Sequence, residues 1–264
     1  NWGGNEEQAY FSVSKNFAYV GLLATVSILK IFWKEIAEAY ENNDLNKMKS
    51  LYFNVSKILY FLGAFTVGIL IPWAGEILKL SVGEKYMPGT MTFMVLLAYP
   101  IHQSLGQIAS SMLMATKKNK ILVVIGSIFM SSSLIVSYFL MAPKNAEIPG
   151  LNLASQGLAW KLVIMQIIEV NVYIYYISKI FGWEYKWLYQ IIILTGTILI
   201  GYLSKIFIVY LLNTYDLLML ILSCIIYSIV MFTLCYFYPK SILGIEKSDF
   251  SKLKPLLKKK LVWN

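Results

Sequence analysis

The stretch Glu6–Phe32, EEQAYFSVSKNFAYVGLLATVSILKIF, decides the fold. From Tyr10 onward it is apolar for long enough to cross a bilayer, which takes a helix of about 20 residues. Yet Lys15 and Asn16 stand well inside the apolar region. A surface helix has no use for that apolar length, and a helix facing lipid on every side would exclude the lysine. Ser12, Lys15, Asn16 and Tyr19 fall at i, i+3, i+4 and i+7, and Ser27, Lys30 and Lys34 roughly continue the line. One polar stripe on an apolar helix must look at protein or at water.

Composition agrees with a membrane class. Of 264 residues, 58% are hydrophobic and only 14% charged, with a mean hydropathy of +0.63. Soluble domains carry about a quarter charged residues. The net charge of +9 comes from lysines that lie between apolar spans and in the C-terminal tail, not on one soluble face, so no nucleic-acid partner is expected. Every basic residue is lysine; without arginine there is no bidentate phosphate clamp. Cys224 and Cys235 are about 16 Å apart along one helix, too far to bridge, and read as small apolar residues. With His102 as the single histidine, no histidine-based metal site can form, and no cofactor is expected. Paired catalytic carboxylates, a Gly-rich phosphate loop and a nucleophile–base set are all missing, so an enzyme is not expected. NWGGNEEQ reads as a loop rather than a start, which suggests a fragment.

Seven candidate spans follow: Tyr10–Trp33, Tyr52–Ile71, Met91–Met114, Ile121–Met141, Gln156–Ile180, Leu188–Leu212 and Leu217–Tyr238. The predicted fold class is all-α, a polytopic membrane helical bundle. Sixteen lysines fall on one side of the alternating connections and three on the other, while Lys15, Lys30, Lys161 and Lys205 lie within spans. That bias places the C-terminus in the cytoplasm and Asn1 outside, in a multi-pass cell-membrane protein. Lys34–Ser50 reads as a helix continuation, a turn and the run-in to the next span. Ala142–Gly157 should be irregular, with Pro143, Pro149 and Gly150. The tail KLKPLLKKKLVWN is either a solvated end or a partner of anionic lipid headgroups, worth about 1 kcal/mol per lysine.

Several polar residues inside spans are site candidates. Lys15 either snorkels to the outer interface or lines an aqueous cavity that attracts an anionic group. Glu169 lies near the middle of its span, with Gln166, Tyr173 and Tyr176 on its face. It is protonated, paired with a lysine, or facing water; Lys161, about 12 Å away along the axis, is not that partner. Lys205 reads as an outer-leaflet snorkeller. Pro100 should kink the third span just before His102 and Gln103. A lone histidine there is more often packed and hydrogen-bonded than a proton relay. Gln107 follows Gln103 by one turn, and Gly106 with Ser110 allows close helix packing.

The ordered series EQAYFSVSKNFAYVGLL, FWKEIAEAYENNDLNKMKSLY, IPWAGEILKLSVGEKYMPG and LLAYPIHQSLGQIASSMLMATKKNK resembles the C-terminal half of Wzx-like polysaccharide flippases. These belong to the multidrug/oligosaccharidyl-lipid/polysaccharide exporter superfamily. The resemblance covers about Glu6 to Ile180, and the last two spans less specifically. It implies a two-lobe transporter of twelve to fourteen helices of which this chain is the C-terminal lobe, matching helices eight to fourteen if there are fourteen, and lacking its N-terminal lobe. Residues 1–180 would be the lobe core, 181–238 two added helices and 239–264 a basic cytoplasmic tail. The implied activity is translocation of a lipid-linked oligosaccharide by alternating access. A basic residue after the AYxxxx stretch faces the cavity in such flippases, and Lys15 occupies that position here. The substrate-binding set is then Lys15, Asn16, Tyr19, Gln103 and Glu169, the last two on their depth alone. Two alternatives remain: a multidrug or cation antiporter of the same superfamily, with Glu169 coupling the ion, and a membrane glycan polymerase or acyltransferase, which would need a larger outer loop.

Overall fold

The computed structural model describes residues 3–212 and 216–245, excepting the side chains of Leu23, Ala24 and Ser27. The tail lysines beyond Lys240, and with them most of 239–264, lie outside those residues, as does the side chain of Ser27 in the polar stripe. The described chain is all helical: α1 (Gly4–Val20), α2 (Leu23–Glu41), α3 (Leu45–Leu70), α4 (Ala74–Val82), a 3₁₀ segment (Glu84–Gly89), α5 (Thr90–Leu97), α6 (Tyr99–Ala115), α7 (Asn119–Met141), α8 (Ala154–Phe181), α9 (Leu188–Leu211), α10 (Asp216–Phe237) and α11 (Pro239–Ile242).

Five of these, α3, α7, α8, α9 and α10, are long and apolar enough to cross a membrane. They match five of the seven candidate spans, and the chain is a polytopic all-α bundle. The other two spans are each divided. The first is split between α1 and α2 at Gly21–Leu22, and the third between α5 and α6 at Ala98. At both breaks the backbone tightens: the Leu22 N–H reaches the Tyr19 carbonyl at 3.0 Å, and the Ala98 N–H reaches the Val95 carbonyl at 3.1 Å. Pro100 explains the second break, since it has no N–H to give and its ring crowds the carbonyl four residues back.

The connections follow local chemistry. α2 runs on past the apolar span to Glu41, and Asn43 takes a left-handed φ of 56° that asparagine tolerates better than most residues. Asp44 then caps α3, accepting from the Lys47 N–H at 2.9 Å. Lys47 also bridges to Glu35 at 2.9 Å, which staples α2 to α3. This is the continuation, turn and run-in expected for Lys34–Ser50. The loop after α7 is irregular, and folds back so that the Leu151 N–H meets the Phe139 carbonyl at 2.8 Å. The short helix α4 was not anticipated, because nine residues are too few to register as a span.

The main core joins α2, α3, α6 and α8 through Ile36, Tyr60, Ile101, Leu105, Met112 and Ile174. α9 attaches to α3 at a glycine contact: a Cβ on Gly201 would overlap the Gly68 carbonyl oxygen. α10 packs on α9. The outward faces of α7, α9 and α10 are apolar and bare; Met130 is 74% exposed and Leu134 71%. So large an apolar surface suits lipid, where only a fully hydrogen-bonded backbone such as a helix can stand.

Candidate functional site

The polar stripe of α1 is open. Tyr10, Ser14 and Ala18 are buried against the bundle, whereas Ser12, Asn16 and Tyr19 are exposed and Lys15 is half-exposed. The Lys15 ammonium lies 5.4 Å from the centre of the Tyr19 ring, a cation–π distance. No carboxylate among the described residues is within ion-pair reach of Lys15. Lys30 and Lys34 on α2 are exposed, which carries the stripe onward.

The two helix breaks meet each other. A Cβ on Gly21 would stand 3.4 Å from the Pro100 Cβ, so glycine lets the α1–α2 break sit directly on the α5–α6 break. Below it, Thr25 and Ser104 share a buried hydroxyl–hydroxyl bond of 2.8 Å. This crossing sets the site: Tyr19 ends α1 on one side of it, and Tyr99 begins α6 on the other. The Tyr99 hydroxyl donates to Gln103 Oε1 at 3.0 Å and lies within electrostatic range of both Tyr19 and Glu169. Glu169 on α8 is half-buried and accepts from the Tyr173 hydroxyl at 3.1 Å. Tyr99 is thus tied to Gln103 on α6 and Glu169 to Tyr173 on α8, and α1 packs against both helices. Tyr99 was missed as a candidate, although its place beside Pro100 in LLAYPIHQ was the available signal.

Other candidates have structural partners. Lys161 donates to Ser137 Oγ at 2.9 Å, joining α8 to α7. Lys205 has fixed partners. Its ammonium donates to the Pro72 carbonyl at 2.8 Å, pairs with Glu76 at 2.5 Å and covers the Trp73 ring at 4.5 Å. The partner lies on α4, the helix the apolar runs did not reveal. Near the start of the chain, Glu7 accepts from the Ser155 N–H at 3.1 Å and from its hydroxyl, tying α1 to the first turn of α8.

His102 is buried, as expected of a packed histidine. Its Nε2 pairs with Gln190 Oε1 at 3.2 Å, and its ring meets Tyr60 edge-on at 5.7 Å. The Gln190 amide donates to Asn171 Oδ1 and to the Tyr185 hydroxyl, each at 3.1 Å. With Gln190 Oε1 as the acceptor, His102 carries its proton on Nε2, and Nδ1 has no partner. Gln190 was overlooked because it lies only two residues into α9, where a polar residue reads as interfacial. Gly106 sits under Gln166 and Val170 of α8, so close packing of α6 on α8 holds at that glycine.

No family model, curated protein or solved structure matches this chain.

Proposed function

We propose that the chain is one lobe of a membrane transporter that moves a lipid-linked oligosaccharide across the bilayer by alternating access. The reading is supported chiefly by Lys15, a lysine without a carboxylate partner among the described residues, on a face that also carries Asn16 and Tyr19 of a helix packed against α6 and α8. Two interrupted helices crossing at one point suit such a role, because broken spans in transporters occur where irregular backbone borders a cavity. Lys15 would attract the pyrophosphate as a point charge that releases readily, since it lacks the fork geometry of arginine. The phenols and amides of Tyr19, Tyr99, Asn16 and Gln103 would pair with sugar hydroxyls. The lobe completing the cavity, the sidedness with the lysine-rich end in the cytoplasm, and the cell membrane as the location belong to the same proposal.

The experiment is glycan export in cells relying on the full-length transporter. Lys15→Ala should abolish export while leaving protein abundance unchanged, and undiminished export would remove the anion-attracting role. The half-buried Glu169 favours a second reading, an antiporter coupled to Na⁺ or H⁺. There Glu169→Gln would block efflux of a small cation and Lys15→Ala would not.

A further inference from the structure

A second cationic place lies at the lysine-rich end of the bundle, on elements that share nothing with the α1–α6–α8 face. Lys57 of α3, Lys186 just before α9 and Lys240 just after α10 converge there, with the latter two within electrostatic range of Lys57. The Lys57 ammonium donates to the Lys240 carbonyl at 3.3 Å and lies 5.2 Å from the centre of the Tyr189 ring. No carboxylate among the described residues is within ion-pair reach of Lys49, Lys57 or Lys186. Gathering like charges beside apolar helices is unfavourable unless an anion joins them.

Two adjoining hollows share Lys57, Tyr185, Lys186 and Tyr189. The first, of about 310 Å³, also has Lys49, Ser56 and Glu184 in its wall. The second, of about 1030 Å³, is a groove between α9 and α10 lined by Ile192, Gly196, Ile200, Met231 and Leu234. From Leu188 to Ile200 the groove follows α9 for about 18 Å, close to half the roughly 30 Å hydrocarbon core. Its mouth is at the level where both spans end, and Trp187 and Tyr238 stand there as interfacial aromatics do.

We propose that this is a binding site for a resident anionic diacyl phospholipid. Its phosphate lies among Lys57, Lys186 and Lys240, and an acyl chain fills the α9–α10 groove. Among the described lining residues, Lys49, Lys57 and Lys186 against Glu184 select a headgroup of net negative charge, and a groove one leaflet deep selects a lipid over a free phosphate.

The test uses the full chain purified in detergent with phosphatidylglycerol or phosphatidylcholine, and native mass spectrometry counts the lipid retained. Wild type should retain phosphatidylglycerol in preference. Lys57→Gln with Lys186→Gln should weaken retention about thirtyfold, each lysine near the surface being worth about fivefold. Gly196→Leu fills the groove from a position with open space around it, so the helices need not shift. It should displace the lipid while circular dichroism stays unchanged, and it keeps the test decisive if the lysine variant fails to fold. Equal retention of the two lipids, or retention unaffected by either variant, would overturn the proposal. So would displacement of the phospholipid by an equal amount of inorganic phosphate or of a prenyl monophosphate, since the occupant would then be an ion or the prenyl carrier.

Discussion

Gln190→Leu should be among the most costly single changes in the bundle for its size. Three side-chain hydrogen bonds converge on this amide: His102 Nε2 at 3.2 Å, and Asn171 Oδ1 and the Tyr185 hydroxyl at 3.1 Å. Between membrane helices such bonds average about 0.6 kcal/mol and reach about 1.7. Their joint loss comes to about 2 kcal/mol. His102 would then be buried with neither ring nitrogen partnered, which adds about 1 kcal/mol. For a domain of this size about 3 kcal/mol lowers the melting temperature by roughly 6–12 °C. His102→Phe keeps the edge-on contact with Tyr60 and removes the orphan nitrogen together with the bond, so it should cost about 1 kcal/mol or less. The double variant should then be more stable than the sum of the two predicts, by about 1 kcal/mol. The assay is thermal melting of the purified chain in detergent, followed by near-ultraviolet circular dichroism. A Gln190→Leu melt within about 1 °C of wild type, or strictly additive variants, would refute the network as a source of stability.

Three further outcomes are expected. Glu76→Ala should leave the Lys205 ammonium with only the Pro72 carbonyl and the Trp73 ring; since both partners are about a quarter exposed, the loss should be about 1–2 kcal/mol, and Lys205→Met together with Glu76→Leu should recover most of it in the same melt. Gly201→Ala should cost about 1–3 kcal/mol because the new methyl meets backbone that cannot turn away, whereas Gly196→Ala, with open space around it, should be near neutral. The Lys47 hydrogen bond holds the Glu35 carboxyl below the usual glutamate value of 4.5, so the staple is complete above that pH and is lost as pH falls through the lowered value; amide exchange in the Asn42–Lys47 turn should quicken there in wild type, relative to a Lys47→Met control that is already loose at neutral pH.

Apolar run length revealed α3, α7, α8, α9 and α10, because each is a single uninterrupted helix. It also revealed the break at Pro100, whose missing N–H is legible in one letter. The break at Gly21 was not legible, since glycine alone breaks few helices, and the Pro100 on which it packs is seventy-nine positions away. The partner of Lys205 was hidden for a similar reason: Glu76 lies 129 positions earlier on a helix too short to notice. At the candidate site the stripe on α1 was visible as spacing, but the placing of α1 against α6 and α8 depends on the crossing of two broken helices, which no local pattern encodes.

The exposed surface of the bundle asks for two solvents at once. α7, α9 and α10 turn Met130, Leu134 and Phe232 outward, and in water such faces would drive aggregation. α1 and α2 turn Ser12, Asn16 and Lys30 outward, and a span bearing them would be costly in lipid. Neither environment alone satisfies both faces. A bilayer covers the first; the second needs water or other protein, and it lies on helices that are not among those long and apolar enough to cross a membrane alone. A lone bundle cannot supply that cover, because the stripe lies on the outside of its own first helix. The proposed second lobe would supply it, with a wet seam between the two. In that proposal Lys15 faces the seam, which is where a transporter would place its cargo.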